Sequence, residues 1–369
     1  MRKEHPMKRT MINEIFFIRA VACLCVVLIH SMTMTQHNYE LFRLTDELMY
    51  MFKLTIMFAT PVFVMISEFL LSYSYPDKLP KAFWKKRILY ILVPYIVMAV
   101  IYSAYPLLVG TGFTWGRFME LFFEKGFLGL WHGYFVLIIF QFYALHFLLK
   151  KYFDRFSPFL MIGISLVVNM FYLAIYNFSW FHDFSFVSAL RPYYKLPFLG
   201  WIFYFTVAYY AGKNIDVFLS FIQKYKYYLL AGAALTGMVP LLMRYNHIYS
   251  VVSSKRFDVV LYTFFIFCLL YLIAKQLKKT PTIVMWISSS SYGIYLLHPL
   301  FQFNTIDFLQ SMPFYTNFGV HILLLFIMGV GGPILVTYLL NKVPYGALIV
   351  GKFNAPKSSA PLKEKMKAS

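Results

Sequence analysis

Stretches of about 20 mainly apolar residues, roughly the length that crosses the hydrocarbon core of a bilayer, recur along the whole chain between short basic or mixed connections. They lie near 14 to 33, 52 to 74, 88 to 109, 127 to 149, 157 to 177, 193 to 212, 227 to 243, 257 to 274, 283 to 303 and 318 to 341. The pattern predicts an all-α polytopic membrane protein of about ten transmembrane helices. It divides the chain into a basic N-terminus (1–13), a membrane domain (14–341) and a tail (342–369). The tail is rich in Pro, Ser, Ala and Lys from Asn354 onward and is expected to be disordered.

Composition agrees with that solvent. Of 369 residues, 60% are hydrophobic and 13% charged, too little polar surface to cover a water-soluble core of this length. The net charge of +19 raises the question of a nucleic-acid partner, and its distribution answers it. On the expected map, 24 of the 34 lysines and arginines fall on one side, among them Lys85, Lys86 and Arg87, while eight fall in the loops of the other side. By the positive-inside rule both termini are cytoplasmic, and no nucleic acid is expected. The first apolar stretch follows basic residues as a signal peptide would, yet it lacks a small-x-small cleavage site and carries Arg19 and His30, so it is expected to be retained. Cys23, Cys25 and Cys268 fall within spans and indicate neither a disulfide framework nor a zinc ribbon.

Ionisable groups inside spans are costly and therefore mark function or helix-to-helix bonding. Arg19 and His30 are eleven residues apart, which brings them within about 20° of one helix face and separates them by roughly 16 Å along the axis. They line one wall, with Arg19 near the cytoplasmic boundary and His30 near the outer one; snorkelling and an interfacial hydrogen bond are the plain alternatives. Glu68, in the second span, is expected at the depth of Arg19 and is assigned as its partner, the alternative being a protonated carboxyl. Lys86 and Arg87 open the third span, where basic residues suit a polyanionic cytoplasmic ligand or simply anchor the helix.

Trp131 and His132 open the fourth span near the outer face, as an aromatic belt would. Tyr295 and His298 end the ninth on the same side. His30, His132 and His298 are thus expected at similar depth on three helices, but without a nearby paired carboxylate or regular spacing no metal is expected. The glycines of Gly329–Pro333 read as helix packing, and Asn177-Phe178-Ser179 fits a glycosylation acceptor by pattern only.

These residues together resemble the membrane acyltransferase 3 family along nearly the whole chain: Arg19-x10-His30, the Phe63–Leu70 segment, Arg87 with Pro94-Tyr95, Trp131, and Tyr295-Leu296-Leu297-His298. Within it, Tyr90–Tyr95, Gly129–Phe135 and Gly200–Phe205 look most like members of staphylococcal intercellular-adhesion polysaccharide systems. One departure matters: the family's usual Ser-Gly in the second span is Ser67-Glu68 here, which removes the close helix contact that a glycine allows.

The resemblance implies transfer of an acyl group, acetyl or succinyl, from cytoplasmic acyl-CoA to a hydroxyl of an extracytoplasmic cell-envelope glycan, in a bacterial plasma membrane. It implies His30 as general base or transient acyl carrier, with Arg19 beside it in the catalytic set; donor contacts from Arg87, Lys86 and Glu68; and an acceptor side of Trp131, His132, His298 and Tyr295. No tightly bound cofactor is implied, since acyl-CoA is a substrate. The partners are membrane lipid, the glycan, and a glycan synthase or a separate extracytoplasmic transferase. A polysaccharide exporter is the alternative, for which few charges in the spans speak; a structural subunit of a glycan synthase is a third.

Overall fold

The computed structural model describes residues 8–75, 80–277, 279–311 and 317–353. Arg2, Lys3, Lys78, Lys278 and the tail from Asn354, on which part of the charge-based topology rests, lie outside the described residues. No strand occurs among the described residues.

The chain opens with α1 (Lys8–Asn38), then α2 (Arg43–Thr55) and α3 (Ala59–Ser74), which form one crossing through a turn at Ile56–Phe58. The next crossing is α4 (Phe83–Arg87), a π-helical turn (Ile88–Leu92) and α5 (Val93–Pro106). The wide turn has a local cause, because Pro94 has no N–H and its ring would press on the carbonyl of Tyr90 in a regular helix. Then come α6 (Trp115–Gly126), α7 (Phe135–Arg155), α8 (Pro158–Asn177), a short α9 (Ser185–Leu190), α10 (Ile202–Lys213) and α11 (Ile215–Lys224). The chain continues with α12 (Lys226–Tyr245), α13 (Val259–Gln276), α14 (Thr282–Gln310), α15 (Phe318–Leu340) and α16 (Ala347–Val350).

Among the described residues eight helical segments are long and apolar enough to cross a membrane, against the ten expected. The ninth expected crossing, α14, has the length, 29 residues, but carries Ser288 to Ser291, His298 and Gln302 within it. The sixth, 193–212, is half a helix: α10 has 12 residues, and Ile202 to Gly212 are all buried. The irregular chain before it is bonded by side chains of its neighbours. Asn169 of α8 donates to the Gly200 carbonyl at 3.1 Å and accepts from Phe203 N–H at 3.2 Å. Gln141 of α7 does the same for the Leu196 carbonyl, at 2.8 Å, and the Phe198 N–H, at 3.0 Å. Non-helical backbone at membrane depth needs such partners.

α1 stands at the centre, packed against α3, α13, α14 and α15, while α10 packs chiefly on α3. The close contact that a glycine beside Ser67 would have given is supplied from the other side: a Cβ on Gly212 of α10 would lie 2.3 Å from the Phe69 carbonyl oxygen. Gly329 faces Gln302 and Val27 at packing distance, in keeping with a helix contact rather than a ligand cradle. Residues 342–353 were expected within a disordered tail, but they are docked. The Asn341 side chain donates to the Gly351 carbonyl and accepts from Phe353 N–H, and the Phe353 ring lies 5.3 Å from Trp286.

Candidate active site

A cavity of about 1350 Å³ runs beside α1 and is lined by both Arg19 and His30. The eleven-residue spacing places them on one face of a single helix, so one wall serves both ends. At the α4 end the lining is basic: Arg19, Lys85, Lys86, Arg87 and Lys352. The Arg87 guanidinium lies 5.1 Å from the Phe83 ring and 5.4 Å from the Tyr143 ring, within electrostatic reach of Arg19. The docked segment carries Lys352 to 5.6 Å from the Tyr90 ring, a lining residue that its position in an apparent tail concealed.

Glu68 does not pair with Arg19. Its carboxylate lies 2.6 Å from His146 Nδ1 of α7, it is 1% exposed, and it is not part of the cavity wall, where its neighbour Ser67 stands instead. On α3 the wall is formed by Thr60, Phe63, Ile66, Ser67 and Leu70, one helical face, and Glu68 lies off that face. Glu68 is therefore a packing residue of α3 rather than a donor contact, and His146 is the partner that sequence alone did not reveal.

Midway along the cavity the three histidines converge. The ring centroids of His30 and His298 are 4.9 Å apart, those of His132 and His298 5.4 Å, and those of His30 and His132 6.5 Å. Among the described residues no group of three or more His, Cys, Asp or Glu side chains has the arrangement to hold a metal ion. Trp131 completes this part of the wall rather than a lipid-facing belt, with ring distances of 4.6 Å to His132 and 5.0 Å to Tyr102. Gly133 makes that possible: a Cβ there would lie 2.2 Å from the Trp131 indole. The Tyr295 hydroxyl donates to the His132 carbonyl.

The orientation of His298 follows from the residue after it. Pro299 has no N–H, so the carbonyl of Tyr295 loses its helical donor. His298 Nδ1 lies 3.0 Å from that carbonyl and 2.8 Å from the carbonyl of Ile294. Between two acceptors Nδ1 must carry the proton, which leaves the lone pair of the neutral ring on Nε2; that atom is buried without a hydrogen-bond partner. One residue further on, the Tyr102 hydroxyl donates to the Leu296 carbonyl at 3.0 Å and accepts from Leu300 N–H at 3.1 Å, bracing the interrupted turn.

Beyond the histidines the lining becomes basic again, with Lys53, Lys195 and Lys255. Lys53 donates to Thr33 Oγ1 and Gln36 Oε1. Lys195, in the loop ahead of α10, is pushed down to about 8 by burial first and by Lys255 second. Asn177 is not free for glycosylation, since its amide donates to the Lys255 carbonyl and accepts from Phe257 N–H. No Asp or Glu among the described residues lines the cavity at either end.

Such a cavity, basic at both ends with imidazoles between, suits transfer between two polar ligands in a membrane. Residues 12–338 match the family model of the acyltransferase domain, acyltransferase 3. The chain belongs to this family. A Bacillus subtilis protein provisionally named membrane-bound acyltransferase YfiQ is 37% identical over 94% of this chain and 96% of its own length. Proteins provisionally named poly-beta-1,6-N-acetyl-D-glucosamine export protein are more distant: one from Staphylococcus aureus is 28% identical over 86% of this chain and 89% of its own length, and one from Staphylococcus epidermidis 29% identical over 82% and 83%. No solved structure matches the chain. This acyltransferase 3 protein is a multi-pass membrane acyltransferase.

Proposed function

We propose that the protein moves an acetyl or succinyl group from cytoplasmic acyl-CoA to a hydroxyl of an extracytoplasmic polysaccharide or other cell-envelope glycan. The observation that carries this reading is that one cavity, with no Asp or Glu among the described residues that line it, holds both the Arg19–Arg87 cluster and the histidine trio. With both termini in the cytoplasm, the Lys85–Arg87 end faces the donor, as the excess of basic residues there favours.

Arg19, Lys86, Arg87 and Lys352 bind the donor phosphates, the arginines through forked contacts. The extended pantetheine arm then covers the roughly 16 Å between Arg19 and His30. His30 takes the proton of the acceptor hydroxyl as its oxygen attacks the thioester carbonyl. The carbon–sulfur bond breaks, the ester forms, and the leaving thiolate takes up the proton as free thiol. His298 offers the lone pair on Nε2 beside His30, while Trp131, His132 and Tyr295 frame the acceptor. Acyl-CoA is consumed as a substrate and no resident cofactor is required. A glycan synthase or a separate extracytoplasmic transferase is the partner class that would supply or receive the glycan.

The test is reconstitution in proteoliposomes with radiolabelled acetyl-CoA or succinyl-CoA on the donor face and candidate glycans on the other. Label reaching a glycan in wild type, and lost in both Arg19→Ala and His30→Ala, is the expected result. Glycan movement that persists in both variants with no label transferred would favour export, the role in the names of the staphylococcal relatives.

A further inference from the structure

Lys195 and Lys255 approach the same ring: their ammonium nitrogens lie 5.1 and 4.9 Å from the centroid of Tyr134, at the end of the cavity beyond His30. Their backbones are held. The Lys195 carbonyl accepts from the indole of fully buried Trp201 at 2.9 Å. The Lys255 carbonyl accepts from buried Asn177 at 3.2 Å, and its N–H donates to Ser253 Oγ at 3.1 Å.

Among the described residues no carboxylate is paired with either ammonium group. Asp46 accepts from Gln36 at 2.5 Å, Glu47 is paired with Arg244 at 2.9 Å, and Asp258 is paired with Arg256. Two half-buried cations at one aromatic ring repel each other, and the ring offsets only part of that repulsion. An oxyanion placed between them would relieve it without breaking any bond that holds the loops.

We propose that the acceptor is an anionic glycan, one carrying phosphodiester or carboxylate groups, and that one of its oxyanions sits between Lys195 and Lys255 beside Tyr134. This rests on the function proposed above in taking the bound molecule for the acceptor. A neutral glycan would leave both ammonium groups uncompensated, and a glycan with free amino groups would add further positive charge.

The test is binding, read without acyl transfer. The full chain in phosphatidylcholine nanodiscs is titrated with fluorescent oligomers of poly(glycerol phosphate), a polyuronate, a neutral glucan and a glucosamine polymer. The two anionic oligomers are expected to bind, more weakly as salt rises, and the other two not to. Lys195→Gln and Lys255→Gln each weaken binding by about tenfold, as loss of one partner of a close charge pair does, while Lys195→Arg, which keeps the charge, binds like wild type and shows that the loop is folded.

Equal binding of the neutral glucan would overturn the proposal, as would anion binding that survives the double glutamine variant. So would loss of glycan binding when phosphatidylglycerol replaces phosphatidylcholine, since the occupant would then be a lipid headgroup. Transfer of label from acyl-CoA is assayed separately. Its loss with anion binding intact counts against the catalytic reading alone, and loss of anion selectivity with transfer intact counts against this proposal alone.

Discussion

The Nδ1 atom of His298 lies 3.0 Å from the carbonyl of Tyr295, the carbonyl that Pro299 leaves without a helical donor. A proline that interrupts the ladder thus adds a second acceptor, beside the Ile294 carbonyl at 2.8 Å, for the Nδ1 proton of the histidine before it, which leaves the lone pair on Nε2. Pro299→Ala restores an N–H that competes for the Tyr295 carbonyl. The expected outcome is a fall in kcat of about tenfold, within the range that general acid–base groups contribute, with donor KM unchanged. Steady-state transfer kinetics separate the two constants, and an unchanged kcat would show that the tautomer is immaterial.

The Arg87 guanidinium lies beside the touching rings of Phe83 and Tyr143, at 5.1 and 5.4 Å, and on the proposed function it meets the donor phosphates through a forked contact. Lysine keeps the charge but loses the fork and the planar stacking. Arg87→Lys is accordingly expected to raise the KM for acyl-CoA by about tenfold while leaving kcat within a small factor. Kinetics at two salt concentrations check this, because a purely long-range charge effect would be retained by the lysine.

Glu68 and His146 form a buried pair behind the cavity wall. Glu68→Gln still offers an oxygen to His146 and is expected to leave acyl-CoA KM unchanged. Glu68→Ala strands the histidine and should cost roughly 1–3 kcal/mol, the penalty for a buried polar group without a partner. Thermal unfolding in detergent measures the second variant, and a raised donor KM in the first would return Glu68 to the donor site.

The Lys195 ammonium faces Lys255 and the Tyr134 ring, and its pKa of about 8 is below the ordinary lysine value. The charged form therefore dominates below pH 8 and is lost as pH rises through it, so affinity for an anionic oligomer should be flat toward neutrality and fall between about pH 8 and 9.5. Lys195→Arg removes that fall, because a guanidinium stays charged over the whole range. A pH series of the nanodisc titration reads both, and an identical fall in the arginine variant would assign the titration elsewhere.

What the sequence made legible was what helical period controls. Eleven residues within one helix place Arg19 and His30 on one wall whatever surrounds them, and apolar length alone located most crossings. The partner of Glu68 depended on how α3 is rotated against α1 and α7, which no spacing within α3 encodes. Lys195 and Lys255 read as separate loop cations, and their meeting at Tyr134 depends on irregular chain between α8 and α10. Lys352 was hidden because its segment is held by Asn341 and by the rings of Trp286 and Tyr338, 5.3 and 6.3 Å from Phe353, rather than by its own composition.

The half-crossing at α10 bears on how the chain is made. Twelve helical residues rise about 18 Å, short of the roughly 30 Å hydrocarbon core, and the backbone ahead of them depends on Gln141 and Asn169 for its bonds. Such a segment is not expected to partition into lipid on its own as the ribosome delivers it; it should enter only against α7 and α8 already in place. Biogenesis of this membrane domain would then proceed partly by recruitment, and a nascent chain arrested shortly after Lys213 in a Gln141→Leu/Asn169→Leu background should leave α10 open to aqueous labelling where the wild-type sequence protects it.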